Sequence, residues 1–187
     1  MWSGQSRAGG SCSNLWKLKA GTRTRDESMA DNVDWIAKHD AGAKIVLWAH
    51  NGHVSNTGFS GNRSMGSYLR EMYGKQMVNF GFAFNEGSFR AWEPGKSLHE
   101  FTVPPAPEGT LDHALAATGI PLFAVDLRRV PDGPPAAKWF AEAHKSRSIG
   151  AGFSDSLEPT LWSPGPAKSD FDVLLFVEKT SAARGNP

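Results

Sequence analysis

Two histidines three positions apart, His50 and His53, close the segment Trp48-Ala49-His50-Asn51-Gly52-His53. Imidazole gains and loses its proton near neutral pH. Such a pair can therefore take a proton from water and return one to a leaving group. Asn51, between them, can donate an amide hydrogen bond to an oxyanion or orient a ring. Gly52 lets the backbone turn so that both rings face one cleft. Two other readings stay open. A histidine at the end of a strand is often a satisfied structural residue. A His-x-x-His pair can also hold a metal, but no third ligand stands at a fixed spacing here, and the pattern is not His-Glu-x-x-His on a helix.

Other polar residues qualify less directly. Arg25 can bind a carbonyl or carboxylate, or simply make a surface ion pair. Asp26 reads as a helix-start carboxylate favoured by the dipole. Glu86, in Asn85-Glu86-Gly87, reads as part of a turn between two strands, facing either the cleft or water. His99 and His113 have no partner visible in sequence. Asp126 ends an apolar run and can reach a cleft or cap a turn.

The elements around these residues follow from periodicity and caps. Residues 24–39 predict a helix capped by Thr24, with Met29 and Val33 on its apolar face. Residues 43–50, AKIVLWAH, predict a fully buried, central, parallel strand that delivers His50 at its carboxyl end. In open parallel sheets that is where ligands bind. A helix over 64–73 is capped by Ser64 and stopped by Gly74, and Met65-Gly66 suits a close backbone approach. Strands are expected over 77–84 and 87–92, and an extended piece over 99–103. Residues 109–118 predict a helix with Thr110 as cap and Gly119 as stop. A second buried strand is expected over 120–127, a helix over 134–144, loop over 145–169 and a last strand over 171–177. Helices alternating with buried strands define an α/β fold, with a mostly parallel sheet and flanking helices. Residues 1–22 are expected to be a disordered tail, 23–180 the folded region and 181–187 a frayed end.

Composition narrows the function classes. The chain has 187 residues with 20 Lys+Arg against 19 Asp+Glu, a net charge of +1. That balance offers no general attraction to nucleic acid or to anionic lipid. A single cysteine, Cys12, can form neither an internal disulfide nor a cysteine-based zinc site, which fits a reducing, cytoplasmic setting. No apolar run approaches the ~20 residues that span a membrane. Neither a phosphate-binding glycine loop nor a Gly-x-Ser-x-Gly elbow occurs, so nucleotide binding and serine-hydrolase chemistry lack a motif.

The residues Arg25-Asp26-x-x-Met29-Ala30-x-Asn32-x-x-Trp35, then Trp48-Ala49-His50-Asn51-Gly52-His53, then Met65-Gly66, Gly81-Phe82, Glu86-Gly87-Ser88-Phe89 and Pro105-Ala106-Pro107, resemble the erythromycin esterase family. That family includes proteins labelled succinoglycan biosynthesis. The likeness covers about residues 23–180. It implies an α/β fold with a parallel sheet and an added helical part. It implies hydrolysis of a macrolide lactone or related ester by a histidine-activated water, without cofactor or metal, in response to an antibiotic. His50 and His53 match the two histidines that line the family's active site. Arg25, Asn51 and Glu86 then become substrate-binding candidates. The family carries a further essential histidine and acidic residues in a Gly-Glu-x-x-His segment of its N-terminal half. No such segment occurs here, so the likeness is to the C-terminal portion of the fold. Three functional expectations follow: an esterase acting on a small-molecule ester, a catalytically inactive fragment or binding module of that family, and a metal-dependent hydrolase built on His50 and His53.

Overall fold

A computed structural model describes residues 23–184 except 41, 59, 60, 94, 96, 132 and 134. The expected tail, residues 1–22, lies outside the described residues. Three helices begin where the sequence places a hydroxyl cap. Thr24 accepts from the Glu27 N–H at 3.1 Å and opens α1, Arg25–His39. One turn, α2, spans Asn51–Val54. Ser64 accepts from the Ser67 N–H at 3.0 Å and opens α3, Met65–Tyr73, which Gly74 ends. Each cap satisfies a backbone donor that has no partner within its helix.

The main sheet contains β1, Phe80–Trp92, β2, Leu98–Val103, β3, Leu122–Asp126, and the C-terminal β6, Val173–Thr180. Between β2 and β3 lies α4, Leu111–Ala116, with Thr110 accepting from the His113 N–H at 3.2 Å. After β3 come α5, Ala136–Ala141, the hairpin strands β4, Ala143–Arg147, and β5, Trp162–Pro166, and the short α6, Ala167–Asp170. The strand order is β2-β1-β6-β3, with β4 and β5 paired separately. The α/β class with flanking helices is as expected. The sheet is mixed rather than mostly parallel: β1 and β6 run parallel, whereas β2 and β3 join antiparallel at the two sides.

The two strands expected over 77–84 and 87–92 are one continuous strand. β1 pairs with β6 through Gly87 and with β2 from Gly87 onward, changing partner at that residue. Gly87 has φ +124°, and a Cβ there would lie 2.2 Å from the Thr180 carbonyl oxygen. Only glycine fits such a crossing. Glu86 therefore stands in a strand, beside Lys179 in register, and not in a turn.

β6 explains where the core sits. Its run Val-Leu-Leu-Phe-Val is apolar on both faces, one packed in the core and the other bordering a groove. Leu174 and Phe176, 2% and 0% exposed, pack with Leu111 and Leu115 of α4, Ala83 of β1 and Leu127. The opposite face, at Leu175, looks toward a groove of about 650 Å³ bordered by α1, α3 and residues 43–49. There Ala30 of α1 packs on Met65 and Leu69 of α3. Gly66 permits the close approach of α3 to the end of α2, since a Cβ would meet the Val54 carbonyl oxygen at 1.9 Å.

Several expectations are corrected. Residues 43–50 are not a buried central strand. They pair with no strand among the described residues, and Val46 and Trp48 are 91% and 86% exposed. A β-forming run without a neighbour to complete its ladder stays extended and solvated. Most of the run over 120–127 is also not buried: among the described residues β3 pairs with β6 alone, and Ile120 and Leu122 are exposed, while Leu127 at its end enters the core. The helix expected over 134–144 ends at Ala141, because Glu142 takes extended backbone angles. His144 instead lies in β4, its ring stacked on Trp139 and its Nε2 bonded to the Trp139 carbonyl at 2.8 Å. The expected loop over 145–169 contains the β4–β5 hairpin. Pro164 and Pro166 hide β5 in the sequence, since proline cannot donate to a ladder and suits only an edge. Among the described residues, no helix is long and apolar enough to cross a membrane.

Candidate functional site

The extended run ends at His50, where α2 begins. His50 caps that turn: its Nδ1 accepts from the Gly52 N–H at 3.1 Å. Nδ1 is thereby used as an acceptor, so the neutral ring carries its proton on Nε2. Crowding by surrounding protein and the nearby His53 push the His50 imidazole below its ordinary range, and a backbone hydrogen bond with Ile149 opposes the shift. His50 thus favours the neutral form, with its Nε2–H directed to the Ile149 backbone.

His53, one turn on, has the opposite arrangement. Its Nδ1 lies 2.7 Å from Asp26 Oδ1, and its Nε2 lies 3.1 Å from an Arg25 Nη1. Arginine has only donors, so Nε2 is the acceptor and Nδ1 carries the proton toward Asp26. The lone pair needed for proton abstraction is therefore on the side facing Arg25. Asp26 Oδ1 also accepts from the Met65 N–H at 2.9 Å. One carboxylate oxygen ties together the start of α1, the histidine turn and the start of α3. The positive ends of two helices converge on it.

Arg25 and His53 are thus brought together, with His50 at the start of the same turn. Asn51 is engaged elsewhere. Its Oδ1 accepts from the Phe82 N–H at 3.0 Å, and its Nδ2 donates to the Phe82 carbonyl at 2.7 Å. The side-chain amide imitates a neighbouring strand on β1 and anchors the histidine turn to the sheet. Glu86 stands four residues farther along β1, roughly 13 Å at strand rise. Its carboxylate lies 3.4 Å from Lys179 Nζ, and nothing brings it to the histidines. His113 Nδ1–H donates to the Ala106 carbonyl, 3.2 Å away, and Asp126 accepts from the Arg128 guanidinium, so both have local roles.

Sequence reasoning gave Asp26 too small a part. It stands next to Arg25 in the same motif, which was the signal, but its link to His53 spans 27 positions. A second group, Asp170, was not singled out at all. Its Oδ1 accepts from the hydroxyls of Ser55, at 3.1 Å, and Thr57. Burial pushes its carboxyl above the ordinary range, and those hydroxyls partly oppose the shift. It borders a cavity of about 340 Å³ that also reaches Asn51, Gly52 and Ser55 of the histidine segment. Among the described residues, no group of three or more His, Cys, Asp or Glu side chains is placed to hold a metal. Both ring nitrogens of His53 already have partners.

An α/β sheet with paired histidines at the foot of an extended segment is the class that fold and site define. The sequence model of the family described as erythromycin esterase matches residues 7–180. The chain belongs to the erythromycin esterase family. A crystal structure of a Bacillus cereus protein is similar over 83% of this chain, with a TM-score of 0.74 and 24% identity. A succinoglycan biosynthesis protein is similar over the same share, with a TM-score of 0.71 and 25% identity. An erythromycin esterase, EreC, solved as a histidine-to-asparagine mutant in its open conformation, matches with a TM-score of 0.56 and 21% identity. The chain spans 38% of the length of the first two and 36% of the third. Residues 1–6 lie outside the family match, which begins within the segment where sequence reading found no family motif.

Proposed function

We propose that this chain supplies the two-histidine part of an ester hydrolase that opens a macrolide lactone or related small-molecule ester with a histidine-activated water. The observation that carries the reading is the Asp26–His53 hydrogen bond of 2.7 Å with Arg25 at the far nitrogen. Asp26 orients the ring and stabilises the imidazolium that forms when Nε2 takes the proton of water, as the carboxylate does in a catalytic triad. The water oxygen adds to the ester carbonyl carbon, and negative charge grows on the carbonyl oxygen. Arg25, drawn from His53 to that oxygen, supplies donors for it, and the Nε2–H of His50 joins by exchanging its Ile149 backbone partner for that oxygen. The ring C–O bond then breaks. The departing alkoxide takes the proton held on His53, leaving a hydroxy acid. Such chemistry suits a cytoplasmic response to an antibiotic.

The test is incubation of the full chain with erythromycin, followed by mass spectrometry for a product heavier by one water. His53→Ala should lower any turnover by about a hundredfold or more while costing no more than about 1–2 kcal/mol of stability through the lost bond to Asp26. Equal rates in both proteins contradict the reading.

A second reading is a catalytically inactive binding module of the same family. It is favoured by the unpaired, exposed run at 43–50, which leaves the histidine turn without a ladder behind it. Calorimetric binding of erythromycin with no heavier product supports it over the first.

A further inference from the structure

The segment that meets His50 is fixed at both of its ends. It runs from Arg147, the last residue of β4, to Phe153. At the first end the Arg147 N–H donates to Asp112 Oδ2 of α4 at 3.1 Å. The Arg147 guanidinium donates through one Nη to the Asn85 carbonyl of β1, at 3.2 Å, and through the other to the Pro104 carbonyl just past β2, at 2.9 Å. The N–H of the next residue, Ser148, donates to the Leu161 carbonyl at 2.7 Å. At the far end the Ala151 carbonyl accepts from the Trp92 N–H at 2.8 Å, and the Phe153 N–H donates to the Trp92 carbonyl at 2.9 Å. Ile149 lies between these fixed points and packs against the cluster of Ala91, Val103 and Phe153.

Ile149 carries the backbone group that His50 meets. Their bond opposes the fall of the His50 value, so the Ile149 group is an acceptor, the carbonyl oxygen. Gly52 bonds the same ring from the other side, at Nδ1. A ring bonded at both nitrogens has its plane and its tautomer fixed. A main-chain acceptor is only as well placed as the chain that carries it, and Arg147 places that chain at a cost. The residue is 5% exposed and makes no ion pair among the described residues. Its Nε has no hydrogen-bond partner there. The rings of Trp162 and Phe84 lie 4.7 and 5.3 Å from the guanidinium carbon. An apolar side chain could fill this space without burying a charge. It could not supply two donors in a rigid fork, and those donors lock the end of β4 to β1 and to the chain leaving β2.

We propose that Arg147 is a positioning residue for His50: its two Nη hydrogen bonds fix the 147–153 segment so that the Ile149 carbonyl keeps the His50 ring in place. The inference rests on the ester reading only in giving the His50 Nε2–H a task in the reaction.

The test uses the full chain and no substrate. Saturation transfer from water, read by ¹⁵N–¹H NMR of the imidazoles at one fixed pH, gives the solvent exchange of the His50 Nε2–H. The His53 Nδ1–H, bonded to Asp26, serves as the internal reference. Arg147→Met removes both donors and should quicken exchange at His50 about tenfold or more while leaving His53 unchanged. Arg147→Lys is the second variant, for the case that Arg147→Met does not fold. It keeps the charge without the fork and should quicken His50 exchange severalfold. Exchange at His50 as slow in the variants as in the unaltered protein would overturn the proposal. Equal quickening at both histidines would overturn it too, because that is what a general loosening of the fold produces. Quickened His50 exchange without a heavier product from erythromycin rejects the hydrolase and keeps the positioning role. Erythromycin turnover with unaltered His50 exchange does the reverse.

Discussion

Residues 44–48, Lys-Ile-Val-Leu-Trp, and residues 173–177, Val-Leu-Leu-Phe-Val, carry nearly the same β-forming chemistry and meet opposite fates. The second lies between β1 and β3, with Phe176 wholly buried. The first is extended, without a ladder, and presents Val46 and Trp48 to solvent. Strand formation is a relation between segments. Apolar, β-branched composition supplies the side chains, but a partner on each side supplies the hydrogen bonds and the cover. The consequence reaches the site, because His50 follows the run that lacks a ladder. The histidine turn is held instead by the Asn51 amide on Phe82 and by Asp26.

Truncating matched side chains tests this contrast most strongly. Phe176→Ala should cost about 3–5 kcal/mol in denaturant unfolding, because it opens a cavity in a packed core. Trp48→Ala should change stability by about 0.5 kcal/mol or less, as expected at an exposed position. Comparable losses from the two variants would mean that 43–50 is covered after all.

Asn51→Ala should fall between them, at about 1–2 kcal/mol, because it removes two hydrogen bonds to Phe82 and leaves that backbone unpaired. Amide exchange should then quicken at Gly52 and His53 while 174–177 stay protected. Unchanged exchange in the turn would remove Asn51 as its anchor.

The smallest expected effect is a pH dependence. His50 has a folded-state value below its ordinary one, so the unfolded chain binds its proton more readily. The His50 contribution is fully present above the ordinary imidazole value and is lost as pH falls below it. His50→Gln should flatten that part of the stability profile, and an identical slope in both proteins would remove the shift.

Local signals were legible in the sequence. Thr24, Ser64 and Thr110 each announce a helix, and each accepts the hydrogen bond its position requires. The last strand was legible as an apolar run, and the histidine pair by its spacing. What stayed hidden depends on contacts between distant segments. The burial of one apolar run and the exposure of another depend on neighbours that composition does not specify. The β4–β5 hairpin was masked by the prolines in β5 and by the helix-like stretch before it. Asp26 reads as a helix-start carboxylate until the fold brings His53 and Met65 to it. Asp170 meets Ser55 across 115 positions, a distance over which no spacing rule operates.

The site account rests most directly on the two rings of one turn carrying their protons on opposite nitrogens. Long-range ¹⁵N–¹H NMR of the histidine side chains, at a pH above the ordinary imidazole value, reads this without any substrate. The account predicts His53 as the Nδ1–H tautomer, bonded to Asp26, and His50 as the Nε2–H tautomer. Asp26→Asn should disturb the first and leave the second. His53 found with its proton on Nε2 would contradict the account, because no lone pair would then face Arg25 and an attacking water.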